Sequence, residues 1–196
     1  MAVAETDGKR RDNRRGRILD AAAVEFARSG YSATSVRDIA AAAGILPGSM
    51  YYHFASKEDL LAAVHAAGIQ RIKERVRAAV ETVNDPWGRL EAACAAHVET
   101  LHQSKDYGSV IATEFPRRHS PKLRARMIEE RDDYENIFRA LIDDLPLPDG
   151  TSRKYFRLAL IGAMAWSIAW YKPGEDSAEE IARQIVNLFR PVKEKG

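Results

Sequence analysis

The sequence predicts an all-α protein of about nine helices, with a small three-helix head followed by a larger helical body. Three observations predict it. Apolar residues recur at three- and four-residue spacing in segment after segment, glycine and proline fall between those segments, and no stretch alternates like a half-buried strand.

Residues 1–13 are polar, hold Lys9, Arg10 and Arg11 and have no period, so they read as a flexible basic arm. The first helix runs from about Arg14 to Ser29, carried by Ile18, Leu19, Ala22, Ala23 and Phe26, and Gly30 stops it. Thr34 or Ser35 caps the second, whose inner face is Val36, Ile39, Ala40 and Ala43 and whose end is Gly44. Pro47 opens a short third helix, where its missing N–H costs nothing, and this helix ends near His53 or Phe54. Ser56 caps a fourth, with Asp59 as acidic partner three residues on. Leu60, Leu61, Val64, Ile72 and Val76 carry that helix toward Val83, long enough to connect two bodies.

Helices over Pro86 to Gln103, Tyr107 to Phe115 and Pro121 to Asp144 follow, divided by proline and glycine. A proline-rich turn from Leu145 to Gly150 precedes a helix from Ser152 to Trp170, and Ala178 to Phe189 closes the series. The expected domains are an arm (1–13), a head (14–57) and a body (58–196).

At 196 residues, 45% apolar and 30% charged, the chain sits near globular averages, which excludes a disordered protein. A net charge of +2 excludes a uniformly basic coat. Its distribution says more: up to Lys57 nine basic residues face six acidic, whereas the rest carries 21 against 22. Cys94 is the only cysteine, so no intrachain disulfide or multi-cysteine zinc site is possible, and a reducing cytoplasm is expected. The N-terminus has no apolar signal core, and the greasy run from Leu158 to Tyr171 is too short to span a bilayer.

Two short helices meeting at Gly44, with the small Ala40 four residues earlier and apolar Ile39, Ala43, Ile45 and Met50, describe a helix-turn-helix or, equally, an ordinary helical hairpin. The outward side of Pro47 to His53 offers Gly48, Ser49, Tyr51, Tyr52 and His53 in place of long side chains. Ser35 adds a hydroxyl for a DNA backbone, and the Arg37 guanidinium can bond guanine in bidentate fashion. Met50 and Phe54 belong to the core, which either Tyr51 or Tyr52 can partly join. His53 has no second ligand at helical spacing, so it reads as a phosphate donor and not as a metal ligand. Lys57, beside a helix N-terminus, suits an anion. Arg14, Arg15 and Arg17 would reach phosphates or a minor groove.

Gly30-Tyr31, Thr34 to Ala40, Ala43-Gly44, Gly48-Ser49, Tyr51-Tyr52-His53-Phe54 and Ser56 to Leu61 together closely resemble the DNA-binding domain of the TetR family of bacterial transcriptional regulators. The likeness is ungapped over roughly residues 14 to 61. The resemblance implies a homodimeric, ligand-responsive repressor that leaves a palindromic double-stranded DNA operator when a small-molecule effector binds its body. It also implies that Pro47, Gly48, Ser49 and Tyr52 approach bases while Tyr51, His53 and Lys57 hold phosphates.

The helix from Ser152 to Trp170 is apolar nearly all round and needs cover on two sides. One side would face its own body and the other a partner subunit. In the family the last two helices form the dimer interface, which this pattern fits. Cys94, His97, Leu101, Val110, Thr113, Glu114, Phe115, Tyr134, Phe138 and Trp166 are candidate linings of an effector cavity, with ordinary core packing the competing reading for each. A tract from Trp166 to Gly174 resembles regulators of lipid and steroid metabolism in the family, several of which bind acyl-CoA. Arg117, Arg118, Lys122, Arg124 and Arg126 form an acid-free cluster that suits CoA phosphates or a solvated loop equally. The competing effector is a lipophilic drug or free lipid. Cys94, His97 and His102 diverge too far for a metal site, and a Cys94–His97 nucleophile lacks an oxyanion loop, so no cofactor, metal or catalysis is expected.

Overall fold

The computed structural model describes residues 2–114, 119–172 and 174–191, with side chains from residue 13 onward. Among these residues the chain forms nine helices and no strand. They are α1 (Ala2–Ala33), α2 (Val36–Ala42), α3 (Pro47–Met50), α4 (Lys57–Glu81), α5 (Pro86–Gln103), α6 (Lys105–Thr113), α7 (Pro121–Asp143), α8 (Arg153–Trp170) and α9 (Ala178–Asn187). The Lys9, Arg10 and Arg11 side chains, and Phe115, Arg117 and Arg118, lie outside the described residues.

Three boundaries differ from expectation for physical reasons. The helix of α1 already begins at Ala2, where an irregular arm was expected. Ala, Glu, Lys and Arg are good helix formers, and lengthening an existing helix avoids the cost of nucleation. At the other end Gly30 (φ 75°, ψ 158°) breaks the helix as expected, but one further turn follows before Thr34. The third helix is also shorter than expected, because regular helix ends at Met50 and tight turns carry the chain to Phe54.

The head closes through local chemistry. Ser35 and Asp38 form a reciprocal capping box at the start of α2, with the Ser35 hydroxyl and N–H holding the Asp38 carboxyl below its usual range. At the far end the Ile45 N–H bonds the Ala40 carbonyl (3.0 Å) and the Gly44 N–H bonds that of Ala41 (3.1 Å), a Schellman closure that requires the positive φ of Gly44. Arg17 tightens the same corner, donating to the Ala43 carbonyl at 3.1 Å.

Two apolar clusters result. The head cluster joins Ile18, Phe26, Ile39, Met50, Phe54 and Leu61, and it continues into Tyr107, Val110, Leu123 and Met127 of the body. The expected boundary at residue 57 is therefore not a break in packing. The second cluster fills the body between α4, α5, α7, α8 and α9. No helix among the described residues is long and apolar enough to cross a membrane.

Candidate nucleic-acid interface and buried body site

The short α3 displays what the core does not use. Met50 and Phe54 are buried, as expected, and the open question of the two tyrosines is decided against the core: Tyr51 is 59% exposed and Tyr52 83%. Pro47 and Gly48 are exposed beside them, Ser49 and His53 half-buried. Ser35 and Arg37 lie exposed at the start of α2. These groups come from one contiguous stretch of 19 residues, 35–53, and share the outer surface of the head.

Of the basic side chains assigned to DNA, Arg14 and Arg15 are exposed, with Arg15 5.2 Å from the Phe54 ring. Arg17 is occupied by the Ala43 carbonyl. Lys57 points into the protein: its Nζ donates to the carbonyls of Tyr31 and Thr34, both at 2.9 Å, and lies 4.2 Å from the Tyr31 ring centroid. It ties the last turn of α1 to the start of α4.

Tyr31 is also where head meets body. The left-handed Gly30 removes the Tyr31 N–H from the helical ladder, and Glu114 at the end of α6 accepts it at 3.0 Å. His119 stands edge-on to the Tyr31 ring (5.2 Å), and its Nε2 lies 3.2 Å from the other Glu114 oxygen. Nearby, Ser120 donates to Glu58 (2.9 Å) and Arg126 to Asp59 (3.1 Å). Glu114, expected to line a cavity, thus holds the junction. The expected acid-free cluster acquires Glu58 and Asp59 as facing acids, which only the tertiary arrangement brings to it.

Inside the body, Cys94, His97, Leu101, Val110, Tyr134 and Phe138 are all buried. Burial pushes the Cys94 thiol and the Tyr134 phenol up. Burial, and then neighbouring His102, pushes His97 down to about 4, so its ring is neutral at physiological pH. His97 Nδ1 lies 2.5 Å from the Tyr134 hydroxyl. Two expected lining residues are elsewhere: Thr113 is exposed at the end of α6, and Trp166 is 69% exposed on α8. Two surface grooves of about 300 and 390 Å³ share His102, Lys105 and Tyr171. His102 bonds Ser167 (3.0 Å) and lies 4.0 Å from the Tyr171 ring. No cluster of three metal-binding side chains occurs among the described residues.

On α8, Tyr155, Leu158, Trp166 and Trp170 are exposed, as is Leu188 just after α9. A Cβ on Gly162, in the middle of α8, would meet nothing within 4 Å.

Two family models match successive parts of the chain. The family described as bacterial regulatory proteins of the tetR family matches residues 18–64, and the tetracyclin repressor-like C-terminal domain matches residues 83–191. The HTH-type transcriptional repressor KstR2 of Mycobacterium tuberculosis is 33% identical over 187 residues, covering 90% of this chain and 91% of the relative. Its solved structure, titled a ketosteroid transcriptional regulator, superposes with a TM-score of 0.73 at 27% identity over 89% of this chain and 92% of that one. The HTH-type transcriptional activator FasR of Mycolicibacterium smegmatis is 30% identical over 183 residues, 93% of this chain and 76% of the relative. AibR, solved in complex with isovaleryl coenzyme A and operator DNA, has the same fold (TM-score 0.78, 24% identity, 89% of this chain and 97% of that one). With a body profile spanning more than half its length behind a matching helix-turn-helix head, the chain belongs to the TetR family of DNA-binding transcriptional regulators.

Proposed function

We propose that the protein is a homodimeric repressor that binds a palindromic operator through its two heads and leaves it when an acyl-CoA thioester enters the body. The observation that carries the DNA reading is the outward set on α2 and α3: Tyr51 and Tyr52 remain exposed although the neighbouring Met50 and Phe54 fill the core. Arg37, Pro47, Gly48, Ser49 and Tyr52 approach the major groove, and Ser35, Tyr51, His53, Arg14 and Arg15 serve the DNA backbone. With few long side chains on α3, phosphate contacts supply much of the affinity, and tyrosine, methyl contacts and DNA shape much of the specificity.

The exposed stripe of Tyr155, Leu158, Trp166 and Trp170, continued by Leu188, supports a second copy as its occupant. Aromatic groups of this size left in water favour association, and an α8–α9 interface is self-complementary about a two-fold axis. That axis places two heads on successive major grooves, roughly 34 to 36 Å apart. The effector favours a body conformation that misplaces them. Transmission runs through the side chains that already join the two parts, Glu114 to Tyr31, Ser120 to Glu58 and Arg126 to Asp59. The protein acts by binding, not catalysis.

The thioester reading rests on the KstR2 likeness, on the isovaleryl coenzyme A bound by AibR and on the Trp166 to Gly174 tract. The test is a band shift on the DNA upstream of the protein's own reading frame. Free fatty acids, their CoA thioesters and hydrophobic cations are added in turn. Release by the thioesters is expected. Release by cations alone overturns the effector reading, and failure to bind DNA overturns the whole.

A further inference from the structure

The core of the body contains a polar atom whose partner the fold does not supply. His97 is 4% exposed, and its helix neighbours Cys94, Ala96, Val98 and Leu101 and its partner Tyr134 all belong to the apolar cluster. Among the described residues only two buried side-chain nitrogens lack a hydrogen bond, His97 Nε2 and His119 Nε2. The second has the Glu114 carboxylate 3.2 Å away, whereas the first has no ion-pair partner among those residues. A buried ring nitrogen left unpaired carries its full desolvation cost, so a retained one calls for an explanation.

The tautomer follows from counting protons. His97 is neutral and so holds one N–H, and Tyr134 holds one O–H. If Nδ1 carried the proton and donated to the tyrosine oxygen, both the Tyr134 hydrogen and the Nε2 lone pair would be left over. With Tyr134 donating to Nδ1 across 2.5 Å, one group alone remains unpaired, the Nε2 N–H. The open valence is therefore a neutral donor in apolar surroundings. Its complement is a neutral acceptor, since a carboxylate there would be buried without a cation.

We infer that His97 Nε2 is the polar anchor of the effector site and donates a hydrogen bond to the carbonyl oxygen of a lipophilic ligand, with Tyr134 as the positioning residue that fixes its tautomer. The inference rests on the effector reading above in placing the ligand inside the body, and it deepens that reading by naming the ligand atom recognised. It favours esters, thioesters and ketones over hydrocarbons and cations, which present no acceptor. The site lies between α5 and α7. Opening it parts these helices, and α7 begins at the Ser120 and Arg126 contacts that reach the head.

The test compares acyl-CoA thioesters of several chain lengths with the matching S-alkyl-CoA thioethers, which differ only in the carbonyl, by calorimetry on the full-length protein. The wild type is expected to prefer the thioester by about tenfold or more, and His97→Phe to remove that preference while both ligands still bind through tail and CoA. His97→Gln, which keeps an N–H donor, should retain part of it and covers the case in which the phenylalanine variant does not fold. Nitrogen-15 spectra of the unliganded wild type should show His97 protonated at Nε2; protonation at Nδ1 overturns the inference without any ligand. Equal binding of thioester and thioether by the wild type, or an undiminished preference in His97→Phe, also overturns it. If thioesters release the operator from wild type and His97→Phe at the same concentration, with no shift of about tenfold, the anchor fails and the effector reading stands. If no thioester binds and cations release the operator, both fail.

Discussion

The head and the body of this molecule place their functional chemistry on opposite sides of the hydrophobic boundary. In the head the polar groups between Ser35 and His53 face outward, within two turns of the residues that fix their geometry. In the body Cys94, His97, Leu101, Tyr134 and Phe138 are buried, and His97 meets Tyr134 from 37 positions away in the chain. A surface that reads DNA is presented before its partner arrives. The effector site proposed for the body instead has its polar atoms inside a packed core. The junction at Tyr31 joins the two, and it is built from groups that the sequence places 83 residues apart.

The largest expected effect tests whether the head works alone. Trp166→Glu, which puts a charge in the exposed stripe of α8, should leave a folded monomer whose operator affinity falls by about a hundredfold or more, because one head then binds without its linked partner. Light scattering and a band shift on the same sample check this. A dimeric variant with normal affinity would move the interface elsewhere.

The buried side of the comparison is tested by acid. His97 is held neutral down to about 4, below its ordinary 6.5. As pH falls below 6.5 the unfolded chain takes a proton that the folded chain refuses, so stability is full above that pH and is lost toward 4. The total is on the order of 3 kcal/mol. Urea denaturation of wild type against His97→Phe should show the variant losing much less over that window. Parallel curves would mean that His97 is not the neutral buried group described.

On the exposed side, Tyr52→Ala should weaken operator binding by about 1–3 kcal/mol with little change in melting temperature, as expected of a side chain 83% exposed. Loss of stability in step with affinity would make Tyr52 part of the core. The smallest effect belongs to the junction. Glu114→Ala leaves the Tyr31 N–H without its carboxylate and should cost about 1 kcal/mol of stability. Effector affinity, read by calorimetry, should be kept while effector-driven operator release is blunted. Unchanged release would detach Glu114 from the transmission.

Legibility in the sequence followed the same division. Helix limits set by proline and serine caps were accurate: Pro86 to Gln103 coincides with α5, and Ser56 caps α4 as expected. Those set by charge alone were not, since the polar run before Arg14 continues the helix. Local geometry also identified Gly44 and, as one of two candidates, the Ser35 cap, whereas its reciprocal box with Asp38 emerged only in the structure. What misled was any residue whose partner lies far along the chain. Lys57 reads as an anion ligand beside a helix start, yet the carbonyls it binds are those of Tyr31 and Thr34. Glu114 and Trp166 read as candidate cavity linings or ordinary core, yet one bonds the head and the other faces outward. Tyr31 and His119 were missed as a junction, because a ring and an imidazole carry no spacing signal.

By itself, then, the sequence determined the all-α class, the order and approximate limits of the helices, and a head that closes through caps and turns a few residues long. These depend on local hydrogen bonds and periodicity, which neighbouring residues settle between them. Only the tertiary structure decided which polar groups are exposed, which are committed to the fold, and that His97 Nε2 is buried without a hydrogen-bond partner among the described residues. Those outcomes depend on burial and on carbonyls and carboxylates brought in from distant helices, and no local pattern encodes them.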